Sequence, residues 1–424
     1  MTASEKAHVF LREQGMHPEL LNIDEVKSAF AAAMDAGLRG EPSSLGMFPA
    51  FLSDQGQPKF GKVLVIDAGG TNLRIARLRY GEEGLVIEQV ERSSISGTFG
   101  DKMGREEFFE ALAARLLPLL DDCDRGCFCF SYPCEILPDG DGRVVRLTKE
   151  LKIEGLPGSR LCAPLEEALV RLGAKGQRVW HVINDTVSTK LSLAAAGSSQ
   201  PAYDDTIGFI LGTGANICCS VPCRSITKSP DAAAMDGDMI VNLESGGFDG
   251  FPRGKADRLL DENSDAPGQQ LGEKIISGAY FPALLRCTLQ LAVSEGLLSE
   301  SSGNAVLSMA DVGELCGDTV PAPLNGADEE ELKFIRTATA LLLERGAKLL
   351  CAELAAIIES RNLPAHSRVC VCADGTTFEK NPLLKPYTED YLLKYVTERS
   401  GIFVDFFQTR DATLLGTACA GLMD

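Results

Sequence analysis

The sequence predicts an α/β protein with more than one core. Three observations carry this: short apolar runs alternate with helix-periodic segments, a strand–glycine turn–strand pattern occurs twice, and 424 residues are enough to bury two or more cores. A helix is expected from about Asp24 to Asp35, where Val26, Phe30, Ala33 and Met34 share a face and Gly37 follows as a stop. The Pro-, Gly- and Ser-rich stretch GEPSSLGMFPAFLSDQGQPKFGK then reads as a long traverse. In VLVIDAGGTNLRIARLRY, Val63–Ile66 is a buried strand, Gly69–Gly70 a tight turn, and Leu73 and Ile75 mark a returning strand.

Arg105 to Leu120 has helical periodicity, RGCFCFSYPC is a buried strand ending in a Pro turn, and APLEEALVRLG is a helix closed by Gly173. RVWHVIND is a strand, and a helix follows from Thr186 to about Ala196. Strands alternating with helices imply a sheet with helices on its faces. TIGFILGTGANICCSV, from Thr206 to Val221, repeats the strand–glycine turn–strand unit, which suggests a duplicated architecture with facing turns. A long helix from about Glu329 to Glu359 precedes the strand RVCVCADG.

Sixty acidic against 41 basic residues give a net charge of −19. That opposes nonspecific binding to nucleic acid or to an anionic membrane, since both need a positive surface. No apolar run approaches a membrane span. The opening residues lack the basic and apolar regions of an export signal, so a cytoplasmic protein is expected. Fourteen cysteines without zinc spacing read as reduced, mostly structural thiols.

Individual motifs are ambiguous by themselves. Asp185, in HVINDTVSTKL, suits a helix start, where a carboxylate accepts free backbone amides. It equally suits a general base. The turn Asp67–Asn72 (DAGGTN) fits phosphate contact through close backbone approach, with Asp67 beside a hydrated Mg²⁺, or a plain hairpin. LGTGAN (Leu211–Asn216) is open in the same way. Neither is a Walker A loop or a G-x-G-x-x-G fingerprint. Lys149 in RLTKE, Glu244 in NLESGGF and Glu273 in PGQQLGEK are each compatible with ordinary loop or surface chemistry.

In order, however, DAGGTN, FSYPC, LTK, INDTV, GTGAN, NLE-x-GGF, PGQQ-x-x-EK and ADG-T-T resemble the eukaryotic-type hexokinase and glucokinase family, from about Ser44 to the C-terminal end. The resemblance implies a two-lobed, actin-like (ribonuclease-H-like) ATPase fold with a sugar- and ATP-binding cleft that closes on sugar. The small lobe would be 62–185 plus 412–424, and the large lobe 1–61 plus 186–411. It implies ATP, Mg²⁺ and phosphorylation of the 6-hydroxyl of glucose or a related hexose, the first step of glycolysis, by a monomer or homodimer.

Residue by residue, Asp185 matches the general base, with Lys149 as a second catalytic group. Ser131, Tyr132, Thr148, Lys149, Asn184, Asp185, Asn216, Glu244 and Glu273 match the sugar-binding set. Asp67, Gly69, Gly70, Thr71 and Asn72 match the first phosphate turn, with Asp67 toward Mg²⁺ through water and Arg74 as a phosphate-facing cation. Gly212, Thr213 and Gly214 match the second turn, and Asp374, Gly375 and Thr376 the nucleoside side.

The chain departs from the family at Leu147, where relatives have Trp, and at Ser245, where Trp or Tyr is common. It has Ser188 in place of Gly, and a short loop between Phe248 and Asp261. Competing readings are a bacterial-type sugar kinase, which would carry a clustered Cys zinc motif, a hexokinase-like sugar sensor lacking catalysis, and an actin-class chaperone or filament ATPase without sugar-binding residues.

Overall fold

The computed structural model describes residues 1–53, 56–69, 72–94, 103–147, 152–196, 201–317 and 319–423. Two sheets organise them, and five strands of each follow one topology. In the first sheet, Gly84–Ser94, Asn72–Gly81 and Gly61–Ala68 form an antiparallel meander. Arg125–Phe130 and then Val179–Ile183 extend it in parallel. In the second, the meander is Asp238–Asn242, Ala215–Pro222 and Asp205–Leu211, and the parallel additions are Arg368–Asp374 and Phe403–Phe407. Phe48–Pro49, inside the long traverse, pairs antiparallel with Val241–Asn242 at the free edge. The duplication expected from the two glycine turns is therefore a repeat of the whole five-strand order.

The parallel strands are continuous apolar runs because helices cover both their faces. Cys127, Cys129, Cys370 and Cys372 sit in such runs, buried and outside any disulfide, as small hydrophobes. Each fifth strand feeds a helix: Val179–Ile183 leads to Asp185–Ala195, and Phe403–Phe407 leads to Ala412–Leu422. These two helices pack on each other between the sheets. Gly416 makes the close approach possible, since a Cβ there would lie 1.7 Å from the carbonyl oxygen of Ser188.

The Asp185 helix is also fixed to the second sheet. Buried Lys190 donates to the carbonyl and hydroxyl oxygens of Thr206, both at 2.5 Å, and the Cys218 thiol donates to the carbonyl of Thr186 at 3.2 Å. The long helix is Glu329–Ser360.

One helix stop differs from the sequence reading. The second helix runs Ile23–Arg39 and ends at Gly40, whose φ of 75° is the left-handed C-cap geometry. Gly37 lies inside this helix, where Leu45 and Met47 pack so closely that a Cβ would meet the Leu45 carbonyl at 2.8 Å. Its role is packing rather than termination.

Candidate functional site

The strand Val179–Ile183 ends in Asn184, which caps the following helix. Its Oδ1 accepts the Thr186 amide at 2.8 Å, and Asp185 Oδ1 shares that donor at 2.8 Å. The cap expected of this segment thus falls to Asn184, and Asp185 occupies the first helical turn. Burial pushes the Asp185 carboxyl up to about 6. Hydrogen bonds from Ser131 and the Thr186 amide pull it down, while the neighbouring charges of Glu244 and Asp67 add to the rise. The result is a carboxylate more basic than usual, held on a rigid strand-to-helix corner.

A cleft of about 400 Å³ opens beside this corner, with Asn184, Asn242, Glu244 and Gln270 on its polar side. Asn242 is the hub. It accepts from Asn216 Nδ2 at 2.7 Å and donates to Glu244 Oε1 at 2.8 Å, while Asn216 Oδ1 accepts from the amides of Ile217 and Ser245. Glu244 and Gln270 hold left-handed backbone conformations, with φ of 54° and 53°. Such strain in residues with side chains clusters at functional sites.

Glu273 stands beneath the second turn, where its Oε2 accepts the Ala215 amide at 3.0 Å. Burial raises both Glu244 and Glu273 above the usual carboxylate range, and the Glu244 charge adds to the rise at Glu273. Tyr132 forms part of the opposite wall and donates its hydroxyl to the Gly69 carbonyl at 3.3 Å, bracing the first turn.

Two of the three glycine turns touch, and the first lies within electrostatic reach of the third. In the first, buried Asp67 receives Arg74 through Nε at 2.7 Å and also through Nη2, and the Thr413 hydroxyl at 3.2 Å, all on Oδ2. Arg74 also donates to Asp411 at 2.8 Å. In the second, the Gly212 carbonyl accepts from the Gly278 amide and the Thr377 hydroxyl, both at 2.8 Å, and the Thr213 carbonyl accepts from Ala279. Gly375, with φ of 116°, lies against Leu211–Gly212, so the second and third turns are in direct contact. Burial raises Asp374, with Arg74 opposing and Asp67 adding to that shift, which places the third turn within electrostatic reach of the first.

A hexokinase family model matches residues 206–423, and a second hexokinase model matches 12–195. The chain belongs to the hexokinase family.

Human hexokinase-3 is 31% identical over 417 residues, covering 89% of this chain and 43% of its own length. Hexokinase-1 of Schizosaccharomyces pombe is 28% identical, covering 98% of this chain and 90% of its own. The chain therefore spans a little under half of the human relative and most of the yeast one. A Schistosoma mansoni hexokinase solved with glucose has the same fold, with a TM-score of 0.77 at 22% identity over 99% of this chain and 98% of that one. The two-lobed hexokinase fold expected from the ordered motifs is thus the fold of this chain.

For this hexokinase-family chain, Tyr132, Asn184 and Glu244 line the cleft, Ser131 bonds the Asp185 carboxylate, Asn216 joins the network through Asn242, and Glu273 lies against the second glycine turn. Thr148 and Lys149 of the sugar set, and Gly70 and Thr71 of the first turn, lie outside the described residues. Arg74, expected to face phosphate, has its guanidinium bonded to Asp67 and Asp411. Asn242 and Gln270 were missed. Gln270 lies inside the quoted PGQQ motif, whereas Asn242 is a lone Asn at a strand end and carries no local signal. Asp411 and Thr413 were missed too, because their partners are more than 300 residues away in sequence.

Proposed function

We propose that the chain transfers the γ-phosphoryl group of ATP to the 6-hydroxyl of a hexose, with glucose as the leading substrate. The observation that carries this is Asp185: a carboxyl raised to about 6, at a rigid helix start, within electrostatic reach of Glu244 of the amide–carboxylate network and of Asp67 of the first glycine turn. The amides and carboxylates of Asn184, Asn242, Glu244 and Gln270 suit a ring of hydroxyls at fixed angles, and a sugar lacking one of them would leave polar groups unpaired. Asp185 orients the attacking hydroxyl and accepts its proton.

The turn Gly212–Gly214 and Gly375 offer close backbone approach to phosphates and nucleoside. Lys149 and Thr148 complete the sugar and phosphoryl contacts in this reading.

Asp67 fits Mg²⁺ in one specific way. Its Oδ2 is taken by Arg74 and Thr413, and among the described residues no cluster of three His, Cys, Asp or Glu side chains could hold a metal. Asp67 would hold Mg²⁺ through a water that the ion keeps when it arrives on the nucleotide. Mg²⁺ there would neutralise phosphate charge.

The proposed lobes are 62–185 with 412–424, and 1–61 with 186–411. The first sheet draws all its strands from residues 61–183, which supports that division. Among the described residues no helix is long and apolar enough to cross a membrane. Fourteen free thiols suit the reducing cytoplasm, where we place the protein.

A coupled assay with ATP, Mg²⁺ and glucose, mannose, fructose or glucosamine tests the reading. Sugar-dependent ADP release is expected, and its absence with all four sugars would reject it.

A further inference from the structure

Ser188 stands where the family pattern has Gly, one turn beyond Asp185 and fully buried. Its hydroxyl donates to the Thr413 carbonyl and lies 2.7 Å from the Thr417 hydroxyl, which itself reaches the Thr413 carbonyl. Two hydroxyl protons serve these three contacts, so Ser188 can donate to the carbonyl while Thr417 donates to Ser188. The cluster joins the Asp185 helix to the C-terminal helix at the point where Gly416 lets their backbones meet.

Thr413 extends the link. Its own hydroxyl donates to Asp67 Oδ2 at 3.2 Å and accepts from Arg74. A short path therefore runs from the helix bearing the base, through Ser188 and Thr413, to the acid of the first phosphate turn. We infer that Ser188 is a positioning residue for phosphoryl transfer: its cross-helix hydrogen bond holds Asp185 and Asp67 at one spacing, and with them the sugar hydroxyl and the phosphates.

This rests on the sugar-kinase reading. In-line transfer depends on the separation and alignment of the reacting groups, so a small slip between the two helices costs rate and leaves sugar contacts intact.

The neighbouring Ser192 provides the control. It is buried on the same helix, but its hydroxyl donates at 2.7 Å to the Thr189 carbonyl within that helix. Steady-state kinetics and melting curves of Ser188→Ala and Ser192→Ala separate positioning from packing. Ser188→Ala is expected to lower kcat about tenfold, with the sugar KM unchanged and a Tm equal to that of Ser192→Ala, which keeps wild-type kcat. Should Ser188→Ala fail to fold, Ser188→Gly removes the same hydroxyl with the residue of the family pattern, and the same split is expected.

An unchanged kcat in the folded variant overturns the inference, as does a loss of kcat matched in Ser192→Ala. A wild-type chain without sugar-dependent ADP release overturns the kinase reading and this inference with it. An active wild type with an indifferent Ser188 variant overturns the inference alone.

Discussion

The two five-stranded sheets share a strand order, and each delivers an aspartate to the start of the helix after its fifth strand: Asp185 in one half, Asp411 in the other. Their surroundings differ. Asp185 has Ser131 and the Thr186 amide as donors, no ion pair among the described residues, and a carboxyl pushed up to about 6. Asp411 receives Arg74 at 2.8 Å and Arg92 at 3.4 Å. The same frame thus carries a buried carboxyl of raised pKa in one half and an ionic clamp in the other. What differs between them is whether an arginine reaches the carboxylate.

The glycine turns diverge in the same sense. The first is held by charge, through Asp67 and Arg74. The second is held by backbone and hydroxyl contacts, through Gly212, Gly278 and Thr377, and by the close seat of Gly375.

The largest expected effect separates the two aspartates. Asp185→Asn should lower kcat on the order of a thousandfold, the range of a lost general base, while calorimetry still detects sugar binding. Asp411→Asn should cost kcat only severalfold, because Arg74 keeps its two contacts to Asp67. Similar losses in both variants would erase the distinction.

Next, Arg74→Met removes the cation from a carboxylate that is only 6% exposed. A destabilisation of about 3 kcal/mol is expected for such a broken buried pair, read by denaturant unfolding, and wild-type stability would show that charge does not hold the first turn. Smaller again, Gly375→Ala forces a side chain into φ of 116°, with its Cβ 2.4 Å from the Leu211 carbonyl group. A loss of about 2 kcal/mol and a raised KM for ATP with unchanged sugar KM are expected. An unaltered KM for ATP would detach this turn from the nucleotide.

Sequence reached the parts of this arrangement that are written locally. A strand end, two glycines and a threonine, or Asn-Asp before a helix, occupy a few consecutive residues, and their order along the chain carried the rest. It fell short where partners are remote or where one face is polar. The strand Gly84–Ser94 escaped because it is an edge strand, with much of its surface in water and weak alternation.

Gly37 misled because a glycine demanded by packing looks like a glycine that stops a helix. Ser188 looked like a departure from the family pattern until Gly416, 228 positions on, supplied the space and Thr413 the acceptor. That Arg74 also pairs with Asp411 was equally invisible, since that acid lies 337 residues away in sequence.

The central claim is that Asp185, with its raised pKa, is the base of a sugar kinase. The acid limb of kcat/KM for the sugar reports the free enzyme's ionisations and so addresses this structure directly. Because the base must be ionised to accept a proton, kcat/KM should be level at neutral pH and fall as pH drops through about 6, tenfold per unit below it. In Asp185→Asn the residual rate should lose that limb. A profile flat to pH 4.5, or the same limb surviving in the variant, would contradict the account.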